Sequence, residues 1–336
     1  MIEIGRISQR QGPAVPKNDS PESPGKARYF CGTMSEKLRA YLYLHFCVFV
    51  WGFTAILGKL ISLQALPLVW WRVLLCCATL WWILPKAQLR GLTRPMFWQM
   101  LGVGAMVGVH WLCFYGAIKL SNASVAVATM ATTSFFSALA EPVLLRQRIK
   151  WHELALGILI LPGMAMVAGN IGWNMHAGFA VGIAGALLAA VFTSLNKQII
   201  DRHLPPPLIM SFVELFGGLA VTSLALSFTW STGAGLQLAP LTWDWIWMLL
   251  LAWVCTLLPY YLTLRAMRHI SAFATNLTIN LEPVYGVLLA GLIFREHKDL
   301  APGFYLGVGI ILLAVFGHPF LKKLVEKNGT SHSAVS

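Results

Sequence analysis

Charge is what this chain has least of. Asp, Glu, Lys and Arg make up 11% of its 336 residues, where a soluble domain carries roughly a quarter. So few charges cannot cover a water-facing surface of that size, which excludes an ordinary soluble globule. The shortage accompanies 57% hydrophobic residues and a mean hydropathy of +0.67, the composition of a chain that faces lipid. Cysteine is scarce and unpatterned. Of Cys31, Cys47, Cys76, Cys77, Cys113 and Cys255, all but Cys31 lie in apolar runs, and no spacing suits a disulfide framework or a zinc site. They read as small apolar packing residues. A Gly-rich Walker-type segment is also missing, so no nucleotide hydrolysis supplies energy. Neither a His-x-x-x-His set nor a paired-Asp motif is present to serve an intramembrane enzyme. Gly102 and Gly104 follow no soluble strand and are no dinucleotide fingerprint. No metal ion and no cofactor is expected.

The net charge of +12 invites a nucleic-acid reading, but no basic cluster pairs with a stacking-aromatic groove. The basic residues sit between apolar runs instead, where they report topology. A spanning helix needs about 20 mostly apolar residues, because hydrocarbon leaves the backbone no partner outside its own segment. Ten stretches qualify, near 40–60, 66–85, 97–118, 122–145, 153–170, 177–199, 206–230, 243–265, 271–294 and 302–320. Barrel strands would alternate in polarity, and these do not. The expected fold is an all-α membrane protein of ten transmembrane helices. Connectors are short and carry turn residues, as at Leu66-Pro67, Asn170-Ile171-Gly172 and Pro205-Pro206-Pro207.

Placing the N-terminus inside puts twenty Lys and Arg on that side and four on the other, namely Lys59, Lys119, Arg295 and Lys298. The positive-inside rule therefore orients both termini to the cytoplasm of a plasma (inner) membrane. Trp70, Trp71, Trp81, Trp82, Trp98, Trp151, Trp173, Trp230, Trp243 and Trp245 fall near span ends, as an interfacial belt would. Residues 1–38 are polar, rich in proline and without the apolar core of a signal peptide, and read as a disordered cytoplasmic tail. Met34, just ahead of the first span, is an alternative start. Residues 321–336, with Lys322, Lys323 and Lys327, form a second cytoplasmic tail.

The chain also repeats. Ala117-Ile118-Lys119-Leu120-Ser121-Asn122-Ala123 aligns with Ala266-Met267-Arg268-His269-Ile270-Ser271-Ala272, and the same register sets Leu145-Arg146-Gln147 against Phe294-Arg295-Glu296. Phe53-Thr54 echoes Phe192-Thr193. The halves are residues 39–170 and 171–320, of five spans each. Because five is odd, the second half inserts upside down, the inverted-repeat plan of secondary transporters.

At these residues the chain resembles the EamA branch of the drug/metabolite transporter superfamily. The similarity rests on Trp51-Gly52 followed by Lys59, Arg72 in an apolar second span, Tyr115-Gly116-Ala117-Ile118-Lys119, and Leu281-Glu282-Pro283-Val284 followed by Glu296, and it covers about residues 40–320. It implies ten helices in two such repeats and transport of small metabolites, amino acids among them. The chain departs from the family at Ser134, where a proline is usual, and at Arg146-Gln147, where Gly-Glu is usual.

A charge at mid-bilayer is costly and needs a partner or a wet cavity. Glu282 lies near the middle of span nine, and Pro283 after it frees a backbone carbonyl about one turn earlier. A carboxylate there can hold a proton, a cation or an amine. Asn276 and Asn280 share its span. Glu214 in span seven, Arg72 in span two as counter-charge, His110 in span three and Tyr260 in span eight complete the candidate substrate or proton site. Each also has a plainer reading: a carboxylate bonded to a neighbouring helix, an arginine snorkelling to the outer surface, a packed histidine. Glu141, followed by Pro142, and Pro283 are candidate gate residues. Glycines at Gly104 and Gly108, Gly178 and Gly182, and Gly303 and Gly307 are spaced for close helix contact. Pro162 and Pro259 mark expected kinks.

The expected function is secondary transport of a small polar or amphipathic metabolite such as an amino acid, by alternating access, with proton coupling as one version and export the favoured direction. The expected partners are that solute and the bilayer, with no nucleic acid, for a monomer or homodimer that is not an enzyme. A lipid-headgroup transferase and a passive channel are the alternatives.

Overall fold

The structure is a computed structural model that describes residues 35–233, 235–279, 281–295 and 300–313. Residues 1–34, the expected C-terminal tail, Asn280 and the side chain of Pro283 lie outside the described residues, while Glu36, Lys37 and Leu38 of the expected disordered tail are instead the first turn of a helix that Ser35 caps. Every regular element among those described is helical. In chain order they include α1 (Glu36–Leu60), α2 (Ala65–Ile83), α3 (Arg94–Leu120), α4 (Ala123–Leu145), α5 (Glu153–Gly169), α6 (Trp173–His203), α7 (Pro207–Ser231), α8 (Asp244–Ala266), α9 (Ala272–Phe294) and α10 (Pro302–Leu313). Eight of these are long and apolar enough to cross a membrane, while α5 and α10 are shorter apolar helices.

Local chemistry sets where several of them start and stop. Asn122 caps α4 by accepting from the Val125 N–H at 2.8 Å, and Ser271 caps α9 by accepting from Ala274 N–H at 3.1 Å. These are aligned positions of the sequence repeat. Both helices then break at the same point. α4 consists of Ala123–Met130 and Thr133–Leu145, and α9 of Ala272–Ile279 and Glu282–Phe294, so the four boundaries of one match those of the other residue for residue. Each ends in a left-handed residue, Arg146 at φ 53° and Arg295 at φ 57°. α8 winds as a π-helix over Leu250–Leu257, just before Pro259, a wider turn that clears the proline ring. Pro162 is carried inside the helix of α5.

α3 packs between α6 and α7, α4 lies against α5, α6 and α9, and α1 lies against α8. Bare backbone makes the tightest of these contacts. A Cβ added to Gly104 would sit 1.9 Å from the Glu214 carbonyl oxygen, and one added to Gly217 would sit 2.2 Å from that of Leu101. The other expected glycine pairs also meet neighbours, Gly178 and Gly182 against Ser121 and Thr129, Gly303 and Gly307 against Asn170 and Gly163. Lipid is as apolar as leucine, so close van der Waals packing must hold such helices together.

The tryptophans divide. Trp82, Trp98, Trp151, Trp173, Trp230 and Trp243 are exposed at helix ends. Trp70 and Trp71 turn inward instead. Their indole N–H groups donate to Ser223 Oγ at 2.9 Å and the Leu238 carbonyl at 2.8 Å, satisfying donors that packing removes from water.

Asp244, buried at the start of α8, holds the α1–α2 turn. It accepts from Ser62 N–H at 3.1 Å, from Ser62 Oγ at 2.5 Å and from Leu241 N–H at 3.2 Å. Ser62 and Leu241 are exposed, so Asp244→Ala forfeits the net worth of these bonds rather than burying bare donors, about 0.5–1.5 kcal/mol each. The expected result is a lower melting temperature in detergent, with Asp244→Asn closer to wild type. Equal melting of Asp244→Ala and wild type would refute the clasp.

Candidate functional site

Half-way along the helices the bundle holds a cavity of about 120 Å3, several times the ~10–15 Å3 that one water requires. Its wall carries Trp51, Trp111, Phe114 and Phe192 as aromatic surface, Thr54, Thr133, Thr193 and Thr256 as hydroxyls, and Arg72 and Glu282 as charges. Many of these are aligned between the halves. Thr54 and Thr193, Val107 and Thr256, Trp111 and Tyr260, Phe114 and Thr263, Met130 and Ile279, and Thr133 and Glu282 all face the same space.

Arg72 does not snorkel. It is 2% exposed, because its fork finds partners inside: Nε donates to Thr256 Oγ1 at 2.5 Å and Nη1 to the Tyr115 hydroxyl at 2.9 Å. The guanidinium stacks 4.0 Å from the Trp111 ring centroid and 5.4 Å from that of Tyr115, which stabilises a cation in dry surroundings. Thr256 in turn donates to the Leu251 carbonyl, fixing its oxygen as an acceptor for Arg72.

Glu282 opens the second segment of α9, beside the helix break. Glu282 and Arg72 both line the cavity, yet they form no ion pair. Among the described residues nothing donates a hydrogen bond to the Glu282 carboxyl, so its bonding capacity is directed at the cavity. In the first half the aligned residue is Thr133, a site residue that sequence reasoning passed over and that the repeat register could have found.

Three other candidates join the same wall. His110 Nδ1 bonds the Gly185 carbonyl at 2.8 Å, which requires its hydrogen on that nitrogen, and its ring meets Phe192 edge-on. Asn276 donates to Ser137 Oγ at 2.5 Å, joining α9 to α4. Tyr260 reaches past the wall and donates to Glu214, which also accepts from Asn196 Nδ2 at 3.2 Å. Glu214 itself is 0% exposed and is not on the cavity surface. Glu141 lies apart from the cavity, where its carboxylate accepts from the Phe273 backbone N–H at the start of α9. That bond caps a helix. Asn280 and the side chain of Pro283 lie outside the described residues.

A largely apolar cavity with two opposite charges on its wall lies at the middle of a bundle of apolar helices, the build of a multi-pass membrane protein. The chain belongs to the EamA-like transporter family, whose model matches it twice, at residues 38–169 and 176–318. That family is described as one of transporters. Among curated proteins it is similar to the uncharacterized transporter YetK of Bacillus subtilis (strain 168), at 25% identity over 222 residues, which is 63% of this chain and 64% of that protein. The match thus spans less than two thirds of the relative's length. A solved crystal structure of a protein shares the fold at a TM-score of 0.62 and 14% identity, covering 85% of this chain and 98% of the other.

Proposed function

We propose that the chain is a secondary carrier of the plasma membrane, with ten spans in two inverted five-helix repeats and both termini in the cytoplasm. A small polar or amphipathic metabolite, an amino acid or similar compound, binds in the central cavity and is exposed to either side in turn, with export favoured. The observation that carries this reading is the pair of unequal charges facing one cavity, Arg72 held and Glu282 without a hydrogen-bond donor among the described residues. An anchored cation can orient an anionic group, while a carboxylate without donors can take a proton or an amine.

The halves supply the moving parts. Matched breaks in α4 and α9 flank the cavity, with Met130 and Thr133 on its wall from one half and Ile279 and Glu282 from the other. Aligned basic residues tie each half to its own loop, Lys119 to the Ile61 carbonyl at 2.7 Å and Arg268 to the Pro205 carbonyl at 2.5 Å. In the proton-coupled version Glu282 takes a proton on one side of the membrane and releases it on the other. Glu141, through its bond to the start of α9, acts as a gate residue near the cytoplasmic end.

Counterflow in proteoliposomes with a pooled, labelled set of amino acids and metabolites tests the reading. Wild type is expected to show saturable exchange, and Glu282→Gln to lose at least tenfold of it. Exchange that survives the substitution demotes Glu282 to a structural role, and flux that never saturates favours a channel.

A further inference from the structure

Behind the cavity wall lies a second acidic group that the carrier reading leaves without a task. Glu214 is fully buried, and Tyr260 and Asn196 both bond its Oε2. Its other oxygen, Oε1, has no hydrogen-bond partner among the described residues, and neither has Asn196 Oδ1. With the carboxyl ionised, both orphans are acceptors that face no donor. One proton would serve both: placed on Oε1, it makes the carboxyl a donor, and the Asn196 amide already lies alongside. The geometry points to Glu214 as a buried proton-binding site, joined to the cavity through the hydroxyl of Tyr260.

The surroundings favour a proton over a water or a counter-ion. Both orphaned atoms are sealed from water. On the backbone side, α3 packs directly on the Glu214 main chain, where a Cβ added to Gly104 would stand 1.9 Å from its carbonyl oxygen. The titratable groups on the packed elements are engaged elsewhere or are neutral. On α2, Arg72 is held by Thr256 and Tyr115, Cys76 donates to the Ala252 carbonyl, and Cys77 is buried. On α3, His110 is bonded to Gly185. On α8, Tyr260 makes direct contact. Glu214 therefore has no cation partner among the described residues, and leaving a carboxylate charged in such a place is the costly alternative.

Tyr260 then links proton and solute, a step that rests on the carrier reading. It has one hydroxyl hydrogen, which donates either to Glu214 or to an acceptor on a solute in the cavity. A solute that takes this hydrogen removes a stabiliser of the ionised carboxylate, so solute and proton favour one another by linkage.

Infrared difference spectroscopy of the full chain in liposomes at neutral pH tests the proton site without any substrate. A protonated carboxyl in dry surroundings has a C=O stretch well separated from carboxylate bands. The wild-type minus Glu214→Gln difference is expected to contain that band, and Tyr260→Phe and Asn196→Leu to shift its frequency. A difference holding only carboxylate bands overturns the proposal. Should Glu214→Gln fail to fold, the Tyr260→Phe difference decides alone, since a protonated-carboxyl band that stays in place there overturns the link. Failed counterflow would sink the carrier reading and leave this band intact, so the two failures are distinguishable.

Discussion

Replacing Gly104 by leucine is expected to leave no folded protein. A Cβ at that position would stand 1.9 Å from the Glu214 carbonyl oxygen and 2.5 Å from its Cα. The obstacle is the backbone of a neighbouring helix, which cannot change rotamer, so α3 and α7 must separate. Overpacking a core costs about 1–3 kcal/mol when side chains can yield, and here the cost should exceed that range. It is compounded because α3 also packs on α6. Gly102 is the control, with nothing within 4 Å of an added Cβ. Gly102→Leu should match wild type in yield and melting temperature in detergent, while Gly104→Leu should give aggregated or no protein. Similar behaviour of the two would show that the α3–α7 contact does not hold the bundle.

Arg72→Met should have the second largest effect, and on transport more than on folding. Methionine keeps much of the apolar stem, so the aromatic packing of Trp111 survives in part. What disappears is the only cation on the wall of the cavity, among its described lining residues, and with it the donors to Thr256 and Tyr115. Glu282 is left without the opposite charge in the same space, and each lost hydrogen bond to the charged guanidinium is worth about 1.5–3 kcal/mol. Exchange should fall a hundredfold or more. Arg72→Lys retains the charge but not the fork that reaches two hydroxyls on different helices, so it should recover only part of the activity. Counterflow rates for the three proteins, together with their melting temperatures, separate the contributions. Arg72→Met exchanging at the wild-type rate would remove Arg72 from the mechanism.

Both substitutions act on residues that sequence reasoning singled out, yet for different reasons. Gly104 was legible as a small residue one turn from Gly108. That the residue facing it is Glu214 is a fact of three dimensions, because α3 and α7 are far apart in the chain and only packing aligns them. Arg72 stood out as an isolated cation in an apolar run, but its depth alone left snorkelling open. The structure decides this through Tyr115 on α3 and Thr256 on α8, two hydroxyls whose convergence no spacing rule predicts. Glu141 shows the opposite limit: its Glu-Pro dipeptide looks like that of Glu282, and its partner, the Phe273 N–H, turns it to capping α9.

Sequence by itself determined the class of this protein, because composition and run length follow directly from the solvent that the chain must face. It also determined the repeat, since Asn122 and Ser271 at aligned positions cap α4 and α9, and the two helices break at the same register. Only the tertiary structure decided which polar residues share a cavity and which lie behind it. Side chains from α2, α3, α8 and α9 converge there by helix packing, and the phase of one helix against another is set by contacts such as that of Gly104 on Glu214, which no single segment encodes.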